Sequence, residues 1–152
     1  MEKKSFSSAD FWRVSAGIKP VLPDRLIHKG VMTQQDQGAE QFSAQRKHPV
    51  HIVDLPSHTL SMTLGGLLPS QISGRHRHNY ETVIYIIEGA GFTKIEDEIV
   101  HWTAGDAIYI PVWAWHHHEN ASDTKPCTYV ACENAPLLQN LGGIAVRQEL
   151  DD

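Results

Sequence analysis

The chain has 152 residues, with 13 Lys+Arg against 18 Asp+Glu and a formal charge of −5. That is the size of one domain with a full core, and it lacks the basic excess that nucleic acid or an anionic lipid surface would need. Hydrophobic residues at 41% and charged residues at 20% exclude wholesale disorder, a collagen-like repeat and a coiled coil. No apolar run reaches the ~18 residues of a membrane span, and the start of the chain lacks the apolar stretch of a signal peptide. A cytoplasmic protein with neither a nucleic-acid nor a membrane partner is expected.

Residues 1–45 are predicted to form an N-terminal arm or extension. In it, Ser7 or Ser8 would cap a short helix over Ala9-Asp10-Phe11-Trp12-Arg13. Val31 to Gln45 is polar and rich in Gln, with neither period 2 nor period 3.6, and reads as loop. From about Lys47 the pattern changes to short alternating runs broken by Gly, Pro and Asp, so residues 46–135 are predicted to be a β-barrel or sandwich. Arg46, Lys47, His48 and His51 read as a solvated face at its start.

Leu60, Met62 and Leu64 alternate with Ser61 and Thr63 as in a strand. Thr82 to Glu88 is a dense β-branched and aromatic run, closed by a turn at Gly89-Ala90-Gly91. Phe92 to Glu96 and Ile99 to Trp102 suggest a hairpin, and Ala107 to Pro111 and Cys127 to Cys132 add further strands. The odd spacing of the two cysteines sends them to opposite faces of a strand, which disfavours a disulfide. In the C-terminal segment, residues 136–152, Leu137 to Leu141 is predicted to form one helical turn before a polar tail.

Histidine is over-represented, with ten copies, five of them in two clusters. His76 and His78 share a face of a strand at period 2, and two imidazoles so placed can bind one metal ion. His116 and His118 share a face likewise, with His117 turned away. Such a pair alone is more often a surface feature than a ligand set.

Arg75-His76-Arg77-His78, Gly89, Gly105 to Pro111, His116 and Asn120 together resemble the two motifs of the cupin superfamily, over roughly residues 70–120. The resemblance implies an all-β fold, a double-stranded β-helix or jelly-roll barrel, with one metal held by His76, His78 and His116. The family's usual glutamate ligand falls at Thr82. Glu81 stands one residue early and would join the metal only if a bulge turned it inward. Trp113 stands where the second motif has glycine.

The stretch Pro111 to Asn120 resembles gentisate and salicylate 1,2-dioxygenases, which use three histidines and no glutamate and are usually longer, two-domain chains. By that resemblance His118 is a catalytic histidine beside the substrate, and Thr82, Ile84 and Trp113 belong to the substrate pocket. Those enzymes commonly place a carboxylate-binding arginine where this chain has Ile84. Arg75 and Arg77 alternate with the ligand histidines and should point outward.

A three-imidazole site leaves open positions on Fe(II) for a bidentate substrate and dioxygen. Fe(II) is the favoured ion and Mn the second choice, while Ni, Zn or Cu also suit imidazole. The reading is a dioxygenase-like enzyme acting on an aromatic or enolic substrate. The alternatives are a non-catalytic metal- or ligand-binding module and a Lewis-acid isomerase. Most of Trp102, Trp113, Trp115, Tyr85 and Tyr109 should serve core or interface, and a homodimer is expected.

Overall fold

A computed structural model of the chain describes residues 19–33, 43–44 and 46–150. The helix expected near Ala9 to Arg13 and most of the Gln-rich stretch lie outside the described residues. Ten short strands make up the body: β1 (Val50–Ile52), β2 (Ser61–Leu67), β3 (His76–His78), β4 (Thr82–Glu88), β5 (Ala90–Ile95), β6 (Glu98–Thr103), β7 (Ala107–Ile110), β8 (His116–Asn120), β9 (Cys127–Glu133) and β10 (Arg147–Glu149). A short helix, α1 (Ala135–Asn140), carries Pro136 in its first turn, where the missing N–H costs nothing.

The strands form two five-stranded antiparallel sheets, ordered β1-β2-β9-β4-β7 and β10-β3-β8-β5-β6. This is the double-sheet all-β architecture that the sequence predicts. Period-2 burial runs through β4, where Thr82, Ile84 and Ile86 are buried and Val83, Tyr85 and Ile87 are exposed. In β9 the same period buries Cys127, Tyr129, Ala131 and Glu133. The core cluster joins Leu67, Ile84, Ile86, Trp102, Ile108, Ile110, Cys127, Tyr129 and Ala131. Cys127 and Cys132 are both free thiols, as their opposed directions require.

Four details differ from the sequence reading. At the start of β2 the apolar residues of the alternating run face outward, with Leu60 just before the strand and Met62 within it exposed, while Thr63 and, further along, Leu67 are buried. The inner face there meets a polar cavity, and Gly65 leaves room for the Tyr129 ring, which an added Cβ would strike. The turn before β5 is tighter than Gly89-Ala90-Gly91: Gly89 alone takes it, at φ 92°, and Ala90 and Gly91 already belong to the strand. The cluster at Arg46 is no solvated face, because His48 is buried and Arg46 lines the interior. The polar tail returns as β10 and pairs with β3, placing Arg147 opposite His78.

Gly91 is required for close approach rather than for a turn, since a Cβ there would collide with the Glu119 carbonyl and the Trp102 ring. Gly91→Ala is therefore expected to destabilise the fold by about 1–3 kcal/mol in urea unfolding. Gly74→Ala, whose new Cβ would find its nearest neighbours at 3.9 Å, should change stability by less than about 0.5 kcal/mol.

Candidate metal centre

The sequence His-Arg-His in β3 and His-His-His-Glu-Asn in β8 alternates across each strand. His76, His78, His116 and His118 are buried, while Arg77 donates outward to Gln148 (2.8 Å) and His117 meets Glu119 (3.0 Å). His76 lies directly opposite His116 in the β3–β8 pairing, with ring centroids 4.2 Å apart, and His78 is 4.9 Å from His116. The register thus brings together residues some forty positions apart in sequence.

Each of the three histidines has its Nδ1 tied to a backbone carbonyl two residues away. His76 bonds Gly74 (2.9 Å), His78 bonds Tyr80 (2.8 Å) and His116 bonds Ala114 (2.9 Å). A carbonyl only accepts, so each Nδ1 carries the proton and each Nε2 keeps its lone pair. The ligand atoms of His76, His78 and His116 lie within 4.8 Å of one another, close enough for small side-chain rotations to bring all three to ~2.1 Å from one ion. Two of the ties are braced. Glu96 Oε1 accepts from the Trp115 N–H (2.7 Å) just before His116, and Tyr80 stacks on His78 at 4.0 Å.

Burial keeps these imidazoles neutral. Desolvation, followed by the neighbouring His116, pushes His78 down to about 3 and holds His76 well below its ordinary value. Desolvation likewise pushes His116 down to about 4. A neutral imidazole is the ligating form, so the donor set fits a divalent transition metal.

The rings face a chamber of about 20 Å³, room for one ion or water, whose opposite wall includes Thr82, Ile84, Tyr129 and Glu133. His118 lines it too. Its Nδ1 is 2.9 Å from Thr93 Oγ1, which receives the Trp102 Nε1–H (3.0 Å). His118 therefore differs from the other three, because its partner is a hydroxyl rather than a carbonyl.

Thr82 and Ile84 line this chamber. Trp113 does not: it is 40% exposed, stacks under Arg77 at 4.4 Å and lines no part of the chamber. Its φ of 66° lies in the left-handed region that favours glycine, and its N–H donates to the His78 carbonyl (2.7 Å), which fixes the loop ahead of β8. Glu81 is exposed, accepts from Tyr109 Oη (3.1 Å) and from Asn134 Nδ2 (3.4 Å), and stands apart from the histidines. It stays on the outer face because burial alternates without a break from His78 through Tyr80 to Thr82, leaving Glu81 exposed between the last two. Asn120 closes β8, donating to the Leu67, Leu68 and Lys125 carbonyls and accepting from the Ser122 N–H.

The polar wall residues Arg46, His48 and Glu133 escaped the sequence reading, as did Arg147 beside the chamber. His48 bonds the Arg46 carbonyl through Nδ1 (2.7 Å) and the Tyr129 hydroxyl through Nε2 (2.7 Å). Glu133 is 7% exposed and accepts from Thr82 Oγ1 (3.4 Å). The alternation Cys127, Tyr129, Ala131, Glu133 was a usable signal for the last. Arg46 and Glu133 also line a larger antechamber of about 300 Å³, shared with Arg147 and Tyr80.

With fold and site in hand, the comparison is direct: residues 64–132 match the cupin domain family. The chain is 32% identical over 73 residues to gentisate 1,2 dioxygenase 1 of Aquipseudomonas alcaligenes, covering 47% of this chain and 21% of that protein. It is also 32% identical over 84 residues to 5-aminosalicylate 1,2-dioxygenase of Comamonas sp, covering 55% and 22%. The matches thus span about a fifth of those two relatives. A solved salicylate 1,2-dioxygenase from Pseudoaminobacter salicylatoxidans, in adducts with gentisate, shares the fold at TM-score 0.64 and 21% identity, over 72% of this chain and 31% of that one. No helix among the described residues is long and apolar enough to cross a membrane.

Burial also lowers His48, to about 4, with desolvation the largest cause. In the metal-free protein the unfolded chain therefore binds more protons than the native one between about 6.5 and about 4. The protein should be most stable above pH ~6.5 and lose stability steadily as pH falls toward 4. A melting temperature that holds constant across that interval would contradict this.

Proposed function

We propose that this protein is a metal-dependent dioxygenase-type enzyme that acts on an aromatic or enolic small molecule at a three-histidine Fe(II) site. The observation that carries the reading is the shared tautomer of His76, His78 and His116, each Nδ1 bonded to a carbonyl and each Nε2 free to ligate. The dioxygenase relatives support it over other cupin chemistries. Bound Fe(II) would supply the positions at which a bidentate substrate and dioxygen meet.

The chain's own residues do the rest. Three neutral ligands leave the ion's charge uncompensated, so a phenolate or enolate oxygen is favoured at the open face. His118 faces the same chamber and serves to hydrogen-bond the substrate oxygen and to hold or release its proton. Thr93, fixed by Trp102, sets the orientation of that ring. Ile84, Ile110 and Ala131 supply the apolar part of the wall and limit water.

His76→Ala or His116→Ala should remove most bound metal by elemental analysis, whereas His117→Ala and Glu81→Gln should retain it. His118→Gln should keep the metal but slow turnover by about a hundredfold or more. After anaerobic Fe(II) loading, oxygen uptake with gentisate, catechol or a diketone is the expected result. Equal metal content in all variants would refute the ligand assignment. Metal binding without oxygen uptake would turn the reading to a ligand-binding module or a Lewis-acid isomerase.

A further inference from the structure

Tyr129 stands on the inner face of β9, directly across from Gly65 of β2, and its ring lies over that glycine: a Cβ there would stand 2.6 Å from the Tyr129 hydroxyl. The missing side chain lets the phenol reach across β2 to His48, whose Nε2 is 2.7 Å from Tyr129 Oη. His48 is buried, and its Nδ1 is 2.7 Å from the Arg46 carbonyl. That carbonyl only accepts, so Nδ1 carries the proton and the Nε2 lone pair is left to accept from the Tyr129 O–H. The direction of both hydrogen bonds, from Tyr129 through His48 to the backbone, is thereby fixed.

His48 makes the same kind of carbonyl tie as His76, His78 and His116, with a different outcome at Nε2. Theirs is open to a metal, whereas its own is capped by a hydroxyl, which leaves His48 out of the donor set. Protonation agrees with the geometry. Desolvation, with the charges of Arg46 and Arg147 behind it, lowers His48 to about 4, and burial pushes the Tyr129 hydroxyl up. Across the neutral range the imidazole is uncharged and the phenol keeps its one proton, which is committed to His48. Tyr129 Oη retains acceptor capacity that no donor among the described residues fills. Both residues line the histidine chamber. On the same wall Thr82 already donates to Glu133 (3.4 Å), and the Arg46 guanidinium is a donor only.

We propose that Tyr129, its proton held by His48, is a specificity-determining acceptor of the chamber: it takes a hydrogen bond from a hydroxyl or amino group of the bound molecule and disfavours an analogue with an ether or halide there. Arg46, Thr63 and Glu133 line both the chamber and the antechamber, so a ring seated in the larger space can send such a substituent past them toward Tyr129. Discrimination follows as much from the penalty of an unfilled buried acceptor as from the bond gained. The inference deepens the functional reading and rests on it only for the claim that the bound molecule is the substrate.

Calorimetric titration of the metal-free full chain with phenol and with fluorobenzene, rings of similar size of which only the first donates, tests this. Phenol should bind about tenfold more tightly, and Tyr129→Phe should cut that preference to about twofold or less by weakening phenol. Nitrogen–proton NMR on the unaltered protein gives a second readout that does not depend on the folding of the variant. Phenol should move the Tyr129 hydroxyl proton and the His48 Nε2 signal together, because accepting a bond strengthens the one that Tyr129 donates. Fluorobenzene should leave both in place. Equal or absent binding of the two probes overturns the proposal. So does a preference undiminished in Tyr129→Phe, which would pass the role to Glu133, or phenol binding that leaves the His48 Nε2 signal unmoved. Zn2+ uptake measured on the same preparations separates the two ideas. Metal uptake without preference for phenol sinks the acceptor alone, and a Tyr129-dependent preference without metal uptake sustains it and sinks the metal reading.

Discussion

Three hydrogen bonds from imidazole Nδ1 to carbonyls two residues away fix the tautomer of His76, His78 and His116, and the rest of the site depends on them. Because the acceptors are backbone atoms, the tautomer is set by the path of the chain at the ends of β3 and β8 rather than by other side chains. That path is itself secured. Glu96 bonds both ways with Trp115, and the Trp113 N–H holds the His78 carbonyl. Burial then removes the competing proton, since desolvation holds each imidazole in its neutral form. Geometry and protonation thus favour the same state, one in which the free lone pairs converge.

The opposite wall has a different character. The sheet bearing β2, β4 and β9 contributes Thr63, Thr82, Tyr129 and Glu133 beside Ile84 and Ala131, so its inner face grades from the apolar core into a polar chamber. This explains why β2 turns Met62 outward: at Thr63 the interior is polar and at Gly65 it is already filled by Tyr129. Period 2 sets which residues share a face, and the chamber decides which face is inside.

Much of this was legible in the sequence. The strand positions, the shared face of each histidine pair and the outward course of His117, Arg75 and Arg77 all follow from alternation, and the cupin resemblance rightly singled out the family. What escaped the sequence depends on long-range pairing. Nothing local marks Arg147 as an interior residue until β10 is seen to lie against β3. Arg46 and His48 sit in a basic cluster that reads as solvated surface until the chain folds them over the chamber. Trp113 misled for a different reason. Its place next to the ligand histidine in sequence suggested the pocket, whereas its left-handed backbone turns the ring out onto Arg77. Glu81 shows the converse, since strict alternation alone put it on the outer face and the buried Tyr80 and Thr82 on either side keep it there.

Long-range nitrogen–proton NMR correlations of the histidine rings, recorded on the metal-free protein and during titration with Zn2+, test the convergent-tautomer site most directly. His76, His78 and His116 should each carry the proton on Nδ1 before metal is added, and the Nε2 signals of these three should move together, saturating near one equivalent. Protons found on Nε2 in any of the three, or metal-induced shifts spread over other histidines, would contradict it.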